Sequence, residues 1–204
     1  MSLTAIIAIK TIKQVPDIHG DYIGADAGAL YLAQHGVHMK LAIGDFDSVK
    51  NEDMALIEQF SDQLIKLNPI KNDSDSESAV HQVMKMGYQR IVIAGEMGGR
   101  MDHTYVNFRL AYQYPNLLQL CDRQNLIYAV EKGRYEIEKR KYTYLSLFTD
   151  QEAVVSLHGF FYPLDHVRLT SDDIYTLSNE ILLEKGIIEV HEGKVLIFQS
   201  ADQA

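Results

Sequence analysis

Over its first 120 or so residues the chain alternates short apolar runs with segments whose apolar residues recur three and four positions apart. Runs at 5–9, 22–25, 40–43, 63–67, 90–94 and 117–121 read as strands. Segments 27–35, 52–60, 76–86 and 102–112 read as helices, the third carrying Val80, Val83, Met84 and Gly87 along one side. Strands separated by helices fold as a mostly parallel sheet with helices on both faces. After Asp122-Arg123-Gln124-Asn125 the texture changes to short β-rich runs at 126–130, 142–148, 153–157, 187–190 and 195–199, with Gly133, Gly159, Gly186 and Gly193 where turns are expected. The expectation is an α/β domain over 1–122 followed by a smaller all-β domain over 123–204. A chain of 204 residues can bury a sizeable core without staples.

Charge restricts the partners. Nineteen basic against 28 acidic side chains give a net charge of −9, so no footprint for nucleic acid or an anionic membrane surface is visible. A polyanionic substrate would need local basic groups or a divalent metal. The single cysteine, Cys121, can form neither an intrachain disulfide nor a thiolate-rich zinc site, which suits a reducing cytoplasm. The apolar run at 5–9 falls far short of the roughly 18 residues of a membrane span, and no basic leader accompanies it. Export and membrane insertion are disfavoured, and a cytoplasmic location is expected.

Three polar clusters follow predicted strands or open predicted helices, where open α/β sheets bind ligands. In Gly44-Asp45-Phe46-Asp47-Ser48 an extended backbone would turn Asp45 and Asp47 to the same side, where two repelling carboxylates invite a cation such as Mg²⁺. A turn with helix-capping acids fits the same residues. In Lys71-Asn72-Asp73-Ser74-Asp75-Ser76-Glu77, Ser74 and Glu77 have capping-box spacing, which leaves Asp75 able to turn its carboxylate to the sheet edge. The third cluster, Gly95-Glu96-Met97-Gly98-Gly99-Arg100-Met101-Asp102-His103, is a glycine-rich helix entrance with an arginine fork suited to phosphate. A tight turn with Asp102 as helix cap is the alternative, and His103 is second-rank. Neither GxxxxGK[ST] nor GxGxxG is present, which argues against a P-loop kinase or a Rossmann dehydrogenase. Later in the chain, Ser178-Asn179 is by itself an ordinary turn signal.

Taken together and in order, these segments resemble the thiamine pyrophosphokinase family. Ala25-Asp26-Ala27-Gly28-Ala29 is similar to its acidic-glycine segment, Gly44-Asp45-Phe46-Asp47-Ser48 to GDFDS, Asn72 through Ala79 to D-x-T-D-x-x-x-A, and Gly98 through His103 with Asn107 to GGRxDHxxxN. Ser146-Leu147-Phe148, Tyr162-Pro163-Leu164 and Ser178-Asn179-Glu180 resemble its SL, YPL and SNE landmarks. The chain departs from the pattern at Asn72, where aspartate is usual, at Ser74, where threonine is usual, and at Ile9-Lys10-Thr11, which lacks a small glycine-containing loop.

The resemblance implies an α/β catalytic domain, a C-terminal β-sandwich, and a homodimer with active sites between subunits. It implies transfer of the pyrophosphoryl group of ATP to thiamine, releasing AMP. Asp45, Asp47 and Asp75 would hold Mg²⁺. Asp26, Gly28, Gly98, Gly99, Arg100 and His103 would serve ATP and its phosphates. Asp102 would sit at substrate or metal, with Ser178 and Asn179 holding thiamine. Asp45, Asp47, Asp75, Arg100 and Asp102 are thus the expected catalytic set. A metal-dependent phosphohydrolase using the same carboxylates, or a catalytically silent binding homologue, are the other function classes.

Overall fold

Strand β1 (Thr4–Ala8) is buried along its whole length, as happens in a parallel sheet covered on both faces. The computed structural model of the chain describes residues 3–68, 73–139 and 141–202. They fall into two units, 1–107 and 108–204. The first contains β1, β2 (Asp21–Ala25), α1 (Ala27–Gln34), β3 (Leu41–Gly44), α2 (Asn51–Gln59), β4 (Leu64–Lys66), α3 (Asp75–Lys85), β5 (Arg90–Ala94) and the start of α4 (Met101–Gln113). Its five strands run parallel in the order β5-β1-β2-β3-β4.

Helices cover both faces. Ile6 and Ala8 of β1 pack with Ala29 and Leu32 of α1 and Ile57 of α2, while Ile12 from the β1–β2 connection fills the same cluster. Helix α3 lies against β1, β2, β3 and β5, and its buried Ala79, Val80 and Val83 belong to no part of that cluster. Successive strands step from β1 to β4 on one side, and the chain then returns to β5 on the other. That reversal of direction leaves a crevice beyond the carboxyl ends of β1 and β5, the usual ligand position in such sheets.

The second unit holds the rest of α4 and β6 (Leu118–Cys121), β7 (Asn125–Glu138), β8 (Tyr144–Phe148), β9 (Glu152–His158), β10 (Leu164–Thr170) and β11 (Lys185–Ser200). Its pairings are antiparallel. Strand β11 is the hub: β7 lies along its length, β9 beside its first half and β8 beside its second. Inward side chains of all five longer strands share one apolar core with Phe160 and Ile181, as in a β-sandwich. The division at 107/108 falls inside α4, whereas the sequence texture changes after Asp122-Arg123-Gln124-Asn125.

Three expectations change here. The runs at 187–190 and 195–199 form a single strand, because the stretch around Gly193 (φ 73°) is a bulge rather than a turn. Gly133 lies within β7 rather than ending it. Strand β10 carries no apolar run, since Asp165, His166 and Arg168 are exposed along it. No helix among the described residues is long and apolar enough to cross a membrane.

Candidate active site

The carboxyl ends of β1, β2, β3 and β5 and the amino ends of α3 and α4 surround a cavity of about 510 Å³ within the first unit. Asp26 follows β2 and Asp45 follows β3. Carboxylate oxygens of Asp26, Asp45 and Asp47 lie within 4.8 Å of one another. The route to this convergence is not an extended strand. Phe46 takes a left-handed φ of 56° while its ring is buried, and the Asp47 N–H donates to Asp45 Oδ1 at 3.1 Å. A buried phenylalanine in the left-handed region is held there by its surroundings at a cost of order 1–3 kcal/mol.

Asp26 is the unusual member. Its backbone is also left-handed, at φ 50°, and only 8% of the residue is exposed. Ser48 Oγ donates to Asp26 Oδ2 at 3.1 Å, but the buried Oδ1 has no hydrogen-bond partner among the described residues. Burial pushes the Asp26 carboxyl above the usual carboxylate range, and the neighbouring charges of Asp75 and Asp45 add to the rise. Asp75 therefore belongs to the same electrostatic neighbourhood and lines the cavity, although it stands outside the three-carboxylate group. Ser74 accepts from the Glu77 N–H at 3.2 Å and caps α3, so the capping spacing is realised beside the site. Asn72 lies outside the described residues.

At the entrance to α4, Gly98, Arg100 and His103 line the cavity, and Gly99 makes the preceding turn with φ 71°. Arg100 donates through Nε and Nη2 to the two oxygens of Asp102, at 3.2 and 2.5 Å. That pairing holds the Asp102 carboxyl down at about 2, so the pair stays ionised throughout the neutral range. Asp102 lies in the first turn of α4 rather than at its cap. Deeper in, Ser76 Oγ donates to Asn107 Oδ1 at 3.0 Å, joining the starts of α3 and α4. Gly28 does not line the cavity; its α-carbon abuts β1, where an added Cβ would come within 2.1 Å of the Ala8 carbonyl oxygen.

Ser178 and Asn179 belong to the second unit. Asn179 is buried and fastened: its Oδ1 accepts from the Tyr162 and Glu180 N–H groups at 3.0 and 2.9 Å, and Nδ2 donates to the Tyr162 carbonyl at 2.8 Å. Ser178 is exposed at φ 56°, with its N–H donating to Ser146 Oγ at 2.9 Å. Around them stand exposed apolar side chains, including Phe161, Tyr162, Leu177 and Leu182.

Two family patterns match this chain: thiamin pyrophosphokinase catalytic domain over residues 17–121, and thiamin pyrophosphokinase vitamin B1 binding domain over 134–195. The chain belongs to the thiamin pyrophosphokinase family. It is 30% identical over 200 residues to the thiamine pyrophosphokinase of Bacillus subtilis (strain 168), covering 95% of this chain and 94% of that one. Solved structures agree. The chain resembles a thiamine pyrophosphokinase from Bacillus subtilis with a TM-score of 0.88 at 28% identity, covering 98% of this chain and all of that one. It resembles a thiamin pyrophosphokinase family protein from Enterococcus faecalis with a TM-score of 0.89 at 27% identity, covering 99% of this chain and all of that one.

For a pyrophosphokinase, the three converging carboxylates pass a simple chemical test. Asp26 is a buried carboxylate with an open oxygen beside two further carboxylates, and an isolated buried charge of that kind is costly. A hard divalent cation takes oxygen ligands of this type, so the residues present fit Mg²⁺. The sequence alone had no means of placing Asp26 beside Asp45 and Asp47, since strand order and not chain spacing brings β2 and β3 together. Lys10, Thr11 and Glu96 also line the cavity; the sequence offers the segments that contain them but no role for these three side chains.

Proposed function

We propose that this chain transfers the pyrophosphoryl group of ATP to thiamine. The observation that carries the reading is the acidic cavity with a glycine-arginine helix entrance, in a chain matched by both the catalytic and the vitamin B1 binding patterns of the family. The thiamine hydroxyl oxygen attacks the β-phosphorus of ATP, the bond from that phosphorus to the α-phosphate oxygen breaks, AMP leaves, and the hydroxyl proton passes to solvent. Such a transfer asks a protein for positioning and charge stabilisation rather than a nucleophile. Asp45, Asp47 and Asp75 would hold Mg²⁺, with Asp26 joining Asp45 and Asp47. When bound there, Mg²⁺ supplies neutralisation of the triphosphate. Gly98, Gly99, Arg100 and His103 would face the phosphates, and Asp102, now taken up by Arg100, would be released to substrate as the guanidinium turns to them. Residues 1–122 would form the catalytic domain and 123–204 the thiamine-binding domain, in a cytoplasmic enzyme.

Incubation with ATP, Mg²⁺ and thiamine should yield AMP and thiamine diphosphate in equal amounts. ADP as the main product, or phosphate release without thiamine, would return the chain to the phosphohydrolase class; no product at all would make it a silent binding homologue.

A homodimer completes the reading. Its support is the set of exposed apolar side chains beside Ser178, a composition that invites a second copy. If Asp45 of one subunit works with Ser178 and Asn179 of the other, Asp45→Asn and Ser178→Ala homodimers should both be impaired. Refolding the two variants together pairs both lesions in one site of each mixed dimer, so about a quarter of all sites are unmutated. Activity in the co-refolded sample should then exceed the average of the separate variants. Activity that never exceeds that average assigns a complete site to each chain.

A further inference from the structure

Among the described residues that line the cavity, Lys10 and Arg100 are the lysine and arginine side chains, and their circumstances differ. Arg100 has its fork engaged by both oxygens of Asp102. Lys10 has an exposed side chain whose ammonium makes no hydrogen bond or ion pair among the described residues, although Asp26, Asp45, Asp75 and Glu96 line the same cavity. A lysine left over in a site dominated by carboxylates is a cation available to an incoming polyanion.

The backbone under Lys10 is fixed from both sides. The Ile9 N–H donates to the Ala94 carbonyl at 3.1 Å, the Ile12 N–H to the Ile9 carbonyl at 2.9 Å, and the Glu96 N–H to the Thr11 carbonyl at 3.2 Å. These bonds lay the turn after β1 onto the exit of β5, at the crevice where the strand order reverses. Gly95 makes the close approach possible, since a Cβ there would stand 2.4 Å from Ile9 Cγ1 and 2.7 Å from Thr11 Oγ1. The mobile part of Lys10 is thus its side chain, carried on a braced turn. Lys10 also precedes residues 17–121, the span matched by the catalytic pattern, so that match assigns it nothing.

We propose that Lys10 is a triphosphate-contacting residue, its ammonium donating to phosphate oxygens of ATP on the side of the cavity formed by β1 and β5. The chemical identity of the polyanion rests on the pyrophosphokinase reading. A compact, rotatable ammonium suits this task, because it can follow phosphate oxygens without a fixed fork geometry.

The test measures binding of ATP with Mg²⁺ by calorimetry in the absence of thiamine, so that nothing turns over. Lys10→Gln should weaken ATP about tenfold, in line with loss of one charge-assisted hydrogen bond, and Lys10→Arg should recover most of it. In turnover, Lys10→Gln should raise KM for ATP and leave KM for thiamine unchanged, and its melting midpoint should match the parent's. Unchanged ATP affinity in Lys10→Gln overturns the assignment, as does a parallel rise of both KM values, which would mean that the lysine acts through the shape of the turn. The two readings fail separately. A parent that makes thiamine diphosphate while Lys10→Gln binds ATP normally defeats only the lysine assignment. A parent that makes none while Lys10→Gln loses ATP defeats only the pyrophosphokinase reading.

Discussion

Asp45→Asn should lower kcat by about a hundred- to a thousandfold while the protein without added metal melts at the same temperature or higher. Two arguments give the sign of each effect. Removing one of three carboxylates within 4.8 Å of one another relieves like-charge repulsion in the metal-free protein. The asparagine oxygen can still accept from the Asp47 N–H, so the turn at Phe46 keeps its bond. What is lost is negative charge at the point where a cation and the triphosphate would meet, and rate losses of two to three decades follow removal of even a single preorganised group at a developing charge. Mg²⁺ should raise the melting temperature of the parent and do so less for the variant. Asp75→Asn, outside the three-carboxylate group, should lose less activity than Asp45→Asn. Activity retained together with a collapse in melting temperature would assign Asp45 to turn formation and not to chemistry.

The largest effect on stability is expected at Gly28. An alanine Cβ at this position would lie 2.1 Å from the Ala8 carbonyl oxygen and 2.6 Å from its carbon, both backbone atoms of β1. Helix and strand must then separate by about an ångström, in a core otherwise closed over Ala29, Leu32 and Ile6. Overpacking of this kind costs about 3 kcal/mol, which lowers the melting midpoint of a chain this size by about 10 °C. Gly98→Ala is the matched control, because its added Cβ meets nothing within 4 Å. Equal melting of the two variants would show that α1 yields to the methyl group without loss. The resemblance implies a role for Gly28 at ATP; the packing places its demand at the strand instead, as the residue that lets α1 start close enough to β1 to carry Asp26 to the sheet edge.

The α/β half was legible in the sequence because burial on two faces turns strands into continuous apolar runs. All of β1 to β6 and α1 to α4 lie within two residues of the expected segments. The β half was less legible where burial is one-sided or irregular. Strand β10 lies at a sheet edge, with charged and polar residues outward, and gives no apolar run to read. The bulge near Gly193 looks like a turn because a single positive-φ glycine serves both. At the site, the segments with chemistry were visible as motifs, but the partners of each side chain were not. Asp45 and Asp47 meet through a left-handed Phe46 and not through strand alternation. Asp26 joins them only because β2 and β3 are neighbours in the sheet. Lys10 carries no motif at all, and only its position after β1 marks it.

The hub position of β11 separates the order in which this chain is made from the order in which it can assemble. Every strand pair of the first unit joins residues up to 94, so that sheet has all its members once half the chain has been synthesised. In the second unit, β7, β8 and β9 all pair with residues 185–200. Until that stretch leaves the ribosome these three strands lack their shared neighbour, and the Ser178–Asn179 turn, tied to β8 through Leu145 and Ser146, must settle onto an unfinished sheet. Nascent chains therefore pass through a stage in which the acidic cavity can exist and the vitamin B1 binding unit cannot.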